Sequence, residues 1–457
     1  MKSCKVVRNP IGTKLLLSCV LFVIPVVAFF GLPRERDVVL ASQMERVPGG
    51  TAEDSFLALH HPDRYAWQLF LAISHQADPI DRGKADPRKA SLRHYDDDKP
   101  VVWETWAMVS GGRMGPLRNV PNTSEVYLDR GARPVPWTQL PAVSKSVEPI
   151  AVKQLAALMD EFATYPRLIQ VRNGTLETLQ PDAPQLQLDP KLNPPNEVLE
   201  IRMNRAAYEY IAVNNLYSIE GLEQKFREGN RIYFPLGGQE VKAIWTRIEE
   251  KDKSRYHWRR IERAGSKELY GLTDLHIMTH DLPNWFWANF VHVDYADNPT
   301  GTSASPAEGG VYPATKGSKW VYYRLGGTQR SFTDERGKPT LLSGMQLERD
   351  FRGSSSCVTC HARATVGLRS ARPDGPQDRP NVLAVFLTIR PKPVGAIGAP
   401  DPAWFLNAQG QTAFIQTDFV YTAPVRALST ADVPPNATSA RSNHPRATLG
   451  RLPVTTD

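Results

Sequence analysis

The stretch Cys357-Val358-Thr359-Cys360-His361 constrains this chain more than any other part of its sequence. Two cysteines separated by two residues and followed at once by a histidine form the attachment sequence for a c-type haem. The spacing has a chemical cause, because each thiol adds to one vinyl group of the porphyrin and the adjacent imidazole binds the iron. We therefore expect one covalently attached haem c, with Cys357 and Cys360 as its tethers and His361 as the proximal ligand of the iron.

Two other interpretations of Cys357–His361 are less favoured. A zinc site would need two further soft ligands close by. A thioredoxin-like dithiol would follow the first strand of a βαβ unit. The sequence around Cys357 shows neither context. The haem interpretation is therefore preferred.

The first 41 residues have the character of an export segment. Four basic residues precede an almost wholly apolar run from Leu15 to Leu32. The run is longer than the usual core of a signal peptide and shorter than a comfortable membrane span, and Pro25 interrupts it. A signal peptide cut near Ala41 and a retained inner-membrane anchor both remain open for residues 1–41. Either one exports the rest of the chain, and we expect a periplasmic protein.

Cysteine usage agrees with export. Cys4 and Cys19 lie in the export segment, and the other two cysteines are those of the haem motif. The exported body therefore has no cysteine left for a disulfide bond. Bacteria attach covalent haem outside the cytoplasmic membrane, so the motif and the export segment support each other.

The net charge of +7 does not indicate a nucleic-acid partner. Residues 1–41 contain six basic and two acidic side chains, so +4 of the total lies in the export segment. The remaining chain has no dominant basic stripe of the kind that binds nucleic acid. We instead expect the partner to be a redox protein or a small-molecule electron donor or acceptor.

The pattern of apolar residues predicts an α+β fold, with a helical N-terminal part, an antiparallel-rich sheet and a loop-rich C-terminal haem-attachment region. The α+β body is expected at 42–295, followed by a linker at 296–318 that is rich in Gly, Pro, Ser and Ala. The haem-attachment region is expected at 319–421. Residues 422–457 have little apolar content, so we expect a disordered tail there.

Individual elements follow from the same periodicity and from capping residues. Helices are predicted over Asp63–Ile73, Ala151–Tyr165, Asn196–Tyr217 and Ser218–Gly229, with a shorter one at Leu341–Asp350. Strands are predicted over Arg231–Phe234, Glu240–Ile248, Leu272–Met278, Trp285–Asp294, Lys319–Leu325, Val382–Ile389 and Ala413–Tyr421. Val101–Trp106 is predicted to be a buried strand or the start of a helix.

The second axial ligand of the iron has to come from upstream of the motif. Small soluble cytochromes supply a methionine after the motif, but no methionine follows His361 here, and His444 lies in the predicted tail. His276 and His292 are the two main candidates. On strands, His276 shares a face with other ligand-type residues, and His292 shares a face with aromatic ones.

For either histidine, an ordinary hydrogen-bonded role in the core remains the alternative. His280 and Met345 are weaker candidates, and an open sixth position also remains possible. A separate metal site built from His276, His280 and Asp294 is disfavoured, because only the first two are closely spaced.

Several spaced motifs carry a wider resemblance. They are Ala66–Phe70, Val102–Trp106, Glu240–Trp245, Leu275–Ile277, Trp285–Asp294 and Ser356–Ala362. In this order they resemble a group of exported bacterial monohaem "cytochrome c family" proteins, over roughly residues 60–366. The chain departs from that pattern at Tyr295 and the residues after it, and at His280, where a basic residue is expected. The resemblance implies haem binding and redox activity, and it brings no established substrate.

These observations predict one-electron transfer in the periplasm. The alternatives are a haem-dependent oxidoreductase of peroxidase or oxygenase type and a sensor that binds a gas or small ligand at an open iron. The sequence contains no nucleophile elbow, phosphate-binding loop or zinc-protease motif, so no catalytic residue is predicted.

Overall fold

A computed structural model describes residues 46–89, 91–92, 99–108, 136–140, 150–151, 169–172, 175–178, 197–263, 266–296, 312–346, 355–368, 382–386, 397–406 and 409–427. All of these residues belong to one compact unit, so the predicted body and the predicted haem-attachment region are parts of the same unit. The predicted export segment and the predicted helix Ala151–Tyr165, apart from its first residue, lie outside the described residues. Among the residues described, no helix is both long enough and apolar enough to cross a bilayer.

The helices are short, and in the sequence they come before, between and after the strands. They are α1 (Ala52–His60), α2 (Pro62–Ser74), α3 (Arg205–Val213), α4 (Ile219–Arg227), α5 (Cys357–His361) and α6 (Thr422–Arg426). Polar N-cap side chains start several of them, because they accept hydrogen bonds from backbone N–H groups that have no partner within the helix. Ser218, for example, accepts from Gly221 N at 3.0 Å at the start of α4.

The strands form one large antiparallel sheet and two small ones. In chain order they are β1 (Ala107–Met108), β2 (Ile150–Ala151), β3 (Ile169–Arg172), β4 (Thr175–Thr178), β5 (Glu197–Met203), β6 (Gln239–Arg247), β7 (Trp258–Arg263), β8 (Ser266–Thr279), β9 (Phe286–His292), β10 (Tyr323–Gln329), β11 (Ala364–Leu368), β12 (Val382–Phe386) and β13 (Phe414–Gln416). The large sheet has the order β1-β5-β6-β8-β9-β10, with β2 added to β5 and β7 to β8. The small sheets are β12-β11-β13 and β3-β4.

The large sheet separates two environments, because side chains alternate between its faces. On one face, Phe290 stacks on Phe70 of α2 with ring centroids 4.2 Å apart. On the other face, Trp287 packs on His361 of α5 at 4.7 Å. We call these the helix face and the motif face. Gln329 is the register partner of Trp287, so it also lies on the motif face.

A charge network is buried among the aromatic residues of the core. Glu200 accepts from Arg202 and, at 2.9 Å, from Arg259 and the indole of Trp245. The side chains of Glu200, Arg202 and Arg259 are no more than 1% exposed. Burial works to raise the pKa of Glu200, but the two guanidinium groups outweigh it and hold the pKa below its usual value. Glu104 lies 3.5 Å from Arg259 and joins the same network.

Several predicted elements agree with the structure. Helix α2 contains the predicted helix Asp63–Ile73, and α4 lies within the predicted helix Ser218–Gly229. Strands β6 and β9 agree with two of the three predicted strands from Glu240 to Asp294 to within a few residues at their ends, and β8 contains the third. An antiparallel sheet with a few helices is compatible with the predicted α+β class. The wider prediction of a helical N-terminal part is not confirmed.

The predicted helix Asn196–Tyr217 is wrong over its first part, which is strand β5. Glu200 and Arg202 are two residues apart, so on a strand they share a face and pair with each other, which a helix would not allow. Asn204, not Asn196, is the N-cap of the helix that follows, and its side chain accepts from Ala207 N at 3.1 Å.

The predicted strand Arg231–Phe234 is also wrong, since its backbone N–H groups bond to side chains. Tyr233 N donates to the Tyr210 hydroxyl and Phe234 N donates to Asp418. The residues Lys319–Tyr322 form a 3-10 turn, and the strand starts only at Tyr323.

Further along the chain, three more predictions change. The described residues 341–346 are not helical, and Leu342 instead forms a bridge with Ser356. Strand β13 is shorter than predicted, because a turn follows Gln416. The tail does not begin at 422, because Thr422–Arg426 form α6. Residues 428–457 lie outside the described part of the chain.

Candidate haem-attachment site

Helix α5 carries the motif and begins at a serine cap. The hydroxyl of Ser356 accepts from Thr359 N at 3.3 Å and lies 2.9 Å from the Thr359 hydroxyl. Residues three and four apart lie on the same side of a helix, so this short helix presents Cys357, Cys360 and His361 together. Cys357 and Cys360 are not joined in a disulfide bond, and both are half-buried. This is the arrangement that two thioether bonds and one axial imidazole require.

Gln329 of β10 fixes α5 to the motif face of the sheet. Its side-chain oxygen accepts from Val358 N at 3.0 Å, and its nitrogen donates to Ser356 Oγ at 2.8 Å. The same nitrogen lies 2.8 Å from Thr340 Oγ1, so one buried amide joins three segments. Since a buried polar network of this kind is costly to break, it holds the motif in one position.

Backbone groups of neighbouring loops complete the support. Cys357 N donates to Leu342 O at 3.2 Å, and the Thr359 hydroxyl donates to Gly398 O at 2.8 Å. The hydroxyl of Tyr421 donates to Cys360 O at 2.6 Å. These partners come from before and after the motif in the sequence, so the site forms only when the whole unit is folded.

The imidazole of His361 is in the form that binds iron. Its Nδ1 lies 2.7 Å from Phe419 O, and a carbonyl only accepts, so Nδ1 carries the hydrogen. Burial lowers the pKa of His361 to about 3, so the ring is neutral at ordinary pH. Nε2 then has a lone pair to offer to a metal, and the hydrogen bond at Nδ1 fixes the orientation of the ring.

The carbonyl that holds His361 belongs to a strained turn. Asp418 and Phe419 have φ values of 51° and 67°, so two consecutive residues other than glycine are left-handed. Asp418 Oδ2 accepts from Phe234 N at 2.7 Å, and the Thr417 hydroxyl donates to Val420 O at 2.8 Å. Strain of this kind persists only where the surroundings enforce it, and it is concentrated at functional sites.

Aromatic rings enclose the imidazole of His361. The Trp287 ring lies 4.7 Å away on one side and the Tyr421 ring lies 4.9 Å away. Phe419 packs on Trp287 at 6.3 Å. These rings create the apolar surroundings that a porphyrin needs, and they account for the low pKa of His361.

The structure brings His276 to the motif face. In the register of the sheet, His276 is opposite Lys242 on β6 and Asn289 on β9. Asn289 is two residues from Trp287, so both side chains lie on the face that carries α5. Burial, then the nearby ionisable groups Lys242 and His361, lower the pKa of His276 well below its usual value. His276 therefore lies on the face of the sheet that carries His361.

His292 lies on the helix face instead. Its ring stacks on Tyr256 at 3.7 Å, its Nε2 is 3.2 Å from Arg255 O, and its Nδ1 accepts from Asp294 N at 3.3 Å. The sheet stands between this ring and α5, and both ring nitrogens already have partners. The structure therefore does not bring His292 together with the motif.

The weaker candidates have different surroundings. His280 stacks on Trp285 at 5.0 Å, and its Nδ1 is 3.3 Å from Pro235 O. Met345 lies near the motif face, since its backbone N donates to Asp274 Oδ2 at 2.8 Å.

The separate metal site finds no support in the structure, because Asp294 pairs with Arg255 and Tyr256 rather than with His276 or His280. Across the described residues, no group of three or more His, Cys, Asp or Glu side chains is arranged to hold a metal ion.

The residues present fit a covalent haem. Two thiols lie one helical turn apart, a neutral imidazole offers Nε2, and a second buried imidazole lies nearby. When bound, the haem would supply an iron that changes between the ferric and ferrous states. The chain's own contribution is to tether it, to orient one ligand through Phe419, and to exclude water with aromatic rings.

Three parts of the site were not predicted from the sequence: Gln329, the Asp418–Phe419 turn and Lys242. Each acts through a contact between segments that are far apart in the chain. The only local signal is the Asp at 418, a residue type that tolerates the left-handed region better than most.

Comparison with protein-family models, with curated proteins and with solved structures found no match to this chain. The function proposed below is inferred from the motif and from the geometry around it.

Proposed function

We propose that this protein is an exported c-type cytochrome that carries one covalent haem and transfers single electrons in the periplasm. The haem would be attached at Cys357 and Cys360, with His361 as its proximal ligand. The observation that carries the proposal is the hydrogen bond from His361 Nδ1 to Phe419 O at 2.7 Å, next to the two thiols. It holds the imidazole in the tautomer and orientation that leave Nε2 for iron.

The surroundings of the motif support electron transfer more than substrate conversion. A strand, a loop and a turn hold α5 through four hydrogen bonds, three of them buried, so the ligand set is held in place. A rigid, apolar site changes little between two oxidation states, which suits a carrier of electrons. The partner would be a redox protein or a small donor or acceptor. The resemblance to exported monohaem cytochromes and the export segment at 1–41 support the same proposal.

One observation favours the alternative, a haem-dependent oxidoreductase or a ligand sensor with an open iron. His276 and Lys242 lie side by side on the motif face, and the charge of Lys242 adds to burial in lowering the pKa of both His276 and His361. A neutral imidazole and an ammonium group beside an iron could exchange protons with a bound molecule.

Haem attachment is tested by expressing the full chain with the bacterial haem-attachment machinery. The wild type should keep its haem on a denaturing gel, and the double variant Cys357→Ala, Cys360→Ala should lose it. Haem retained by the double variant, or absent from the wild type, would refute the proposal.

Absorption spectra with and without carbon monoxide then separate the two functions. Electron transfer predicts a low-spin spectrum that carbon monoxide does not change. A high-spin spectrum that shifts on adding carbon monoxide would favour the oxidoreductase or the sensor.

A further inference from the structure

We infer that Nε2 of His276 is the second axial ligand, so that the haem iron is held between two imidazoles. The inference rests on the proposed function and goes beyond it, because it selects one of the candidate ligands and closes the sixth position of the iron.

The position of His276 in the sheet brings it to the face that carries the motif. Strand β8 runs between β6 and β9, and His276 is paired on both sides, with Lys242 and Asn289. Asn289 in turn is two residues from Trp287, whose ring lies 4.7 Å from that of His361. Both imidazoles therefore lie in the same region beside the motif face.

The Nε2 atom of His276 has an unmet bonding requirement. Nε2 of His276 is buried and makes no hydrogen bond within the described residues, and its closest carboxylate oxygen, Asp274 Oδ1, is 3.9 Å away. Buried polar atoms in folded proteins are nearly always paired, so an exception needs an explanation. A central strand cannot shift to supply a partner without losing its ladder of hydrogen bonds, whereas an iron ion would satisfy this nitrogen directly.

The other candidates do not combine a place on a central strand with an unmet bonding requirement. His280 Nε2 is also buried without a hydrogen bond in the described residues, but His280 follows the end of β8, and its ring stacks on Trp285 with its Nδ1 3.3 Å from Pro235 O. His292 is on the helix face with both nitrogens engaged. Met278 lies on the motif face two residues from His276, and Met345 lies close to Asp274. A buried thioether sulfur leaves no strong donor or acceptor unsatisfied, so neither methionine requires a metal to explain its burial.

The test uses the full-length protein with haem attached and compares His276→Ala with the control His292→Ala. The wild type should be low-spin, with the electron paramagnetic resonance signal of two imidazoles and without the near-infrared band of a methionine–iron bond. His276→Ala should keep its covalent haem, become high-spin and bind carbon monoxide, and added imidazole should restore the low-spin spectrum. His292→Ala should keep the wild-type spectrum.

A second variant, His276→Met, keeps the inference testable if His276→Ala does not fold. His276→Met should stay low-spin, acquire the methionine–iron band and show a higher reduction potential, because a methionine ligand raises the potential. A purely structural role of His276 would produce none of these changes.

The outcomes separate the inference from the proposed function. Covalent haem with an unchanged low-spin spectrum in His276→Ala, or a high-spin wild type, would overturn the inference and leave haem attachment standing. A wild type without covalent haem would overturn both.

Discussion

The left-handed turn at Asp418–Phe419 gives a prediction that links backbone strain to the iron. Phe419 O accepts a hydrogen bond from Nδ1 of His361, and Asp418 stabilises the turn by accepting a hydrogen bond from Phe234 N at 2.7 Å. We expect three replacements of Asp418 to separate strain from hydrogen bonding. Asparagine tolerates the left-handed region and can still accept the hydrogen bond, glycine removes only the hydrogen bond, and alanine also adds strain.

The magnitudes follow from those differences. Loss of the acceptor leaves the buried Phe234 N–H unpaired, which costs about 1–3 kcal/mol. A left-handed alanine at φ 51° adds about 1–2 kcal/mol. Asp418→Ala should therefore lower the free energy of unfolding by about 2–5 kcal/mol. Asp418→Gly, which loses only the hydrogen bond, should lower it by about 1–3 kcal/mol. Asp418→Asn should stay within about 1 kcal/mol of the wild type.

Urea unfolding measures the stability of the three variants, and voltammetry of the haem-bound protein measures the reduction potential. If Asp418→Ala moves the Phe419 carbonyl, His361 becomes a weaker electron donor to the iron and the potential should rise. Asp418→Asn should leave the potential unchanged. Equal stability of the alanine and glycine variants, together with an unchanged potential in both, would refute the reasoning about the strained turn.

Two further predictions concern the buried charges and the buried imidazole. Glu200→Gln removes the carboxylate that Arg202 and Arg259 share and leaves Arg259 only the more distant Glu104 at 3.5 Å, so we expect a loss of about 3–5 kcal/mol in urea unfolding. Glu223→Gln, in an exposed pair on α4, should cost less than about 1 kcal/mol. Similar losses in the two variants would contradict the buried network. The second prediction uses the haem-free variant Cys357→Ala, Cys360→Ala. Burial lowers the pKa of His361 in the folded state to about 3, so between the usual pKa of a histidine and about 3 this side chain is protonated only in the unfolded state. The free energy of unfolding therefore decreases as the pH is lowered through this range. Adding His361→Gln should reduce this pH dependence by about 1.4 kcal/mol per pH unit between about pH 5.5 and 3.5. An unchanged pH dependence would show that His361 is already accessible to protons in the folded state.

Local patterns in the sequence predicted the elements whose side chains alternate or repeat regularly. The apolar spacing of Trp67, Phe70 and Leu71 gave α2, and the alternation in Phe286–His292 gave β9. The same rules failed at β5, because its pattern depends on Glu200 and Arg202, which are polar and yet buried. Their burial is explained only by Arg259 and Trp245 on other strands, and no local pattern contains that information.

The candidate site was predictable only to the extent that it is local. Cys357, Cys360 and His361 form a contiguous motif whose chemistry needs no tertiary context. The sequence alone does not decide between His276 and His292, since that depends on which face of the sheet packs against α5. Gln329, on the last strand of the sheet, holds α5 on the motif face.

The dependence of α5 on the folded sheet also bears on the absence of a methionine after His361. A helix of five residues is not stable alone, so the geometry of the motif depends on Ser356, Gln329 and Phe419. Those contacts hold α5 against the motif face of the sheet, on which His276 is held by neighbouring strands on both sides. A ligand from a central strand moves less than one from a loop, so on our proposal no methionine is needed after His361 and little rearrangement accompanies the transfer of an electron.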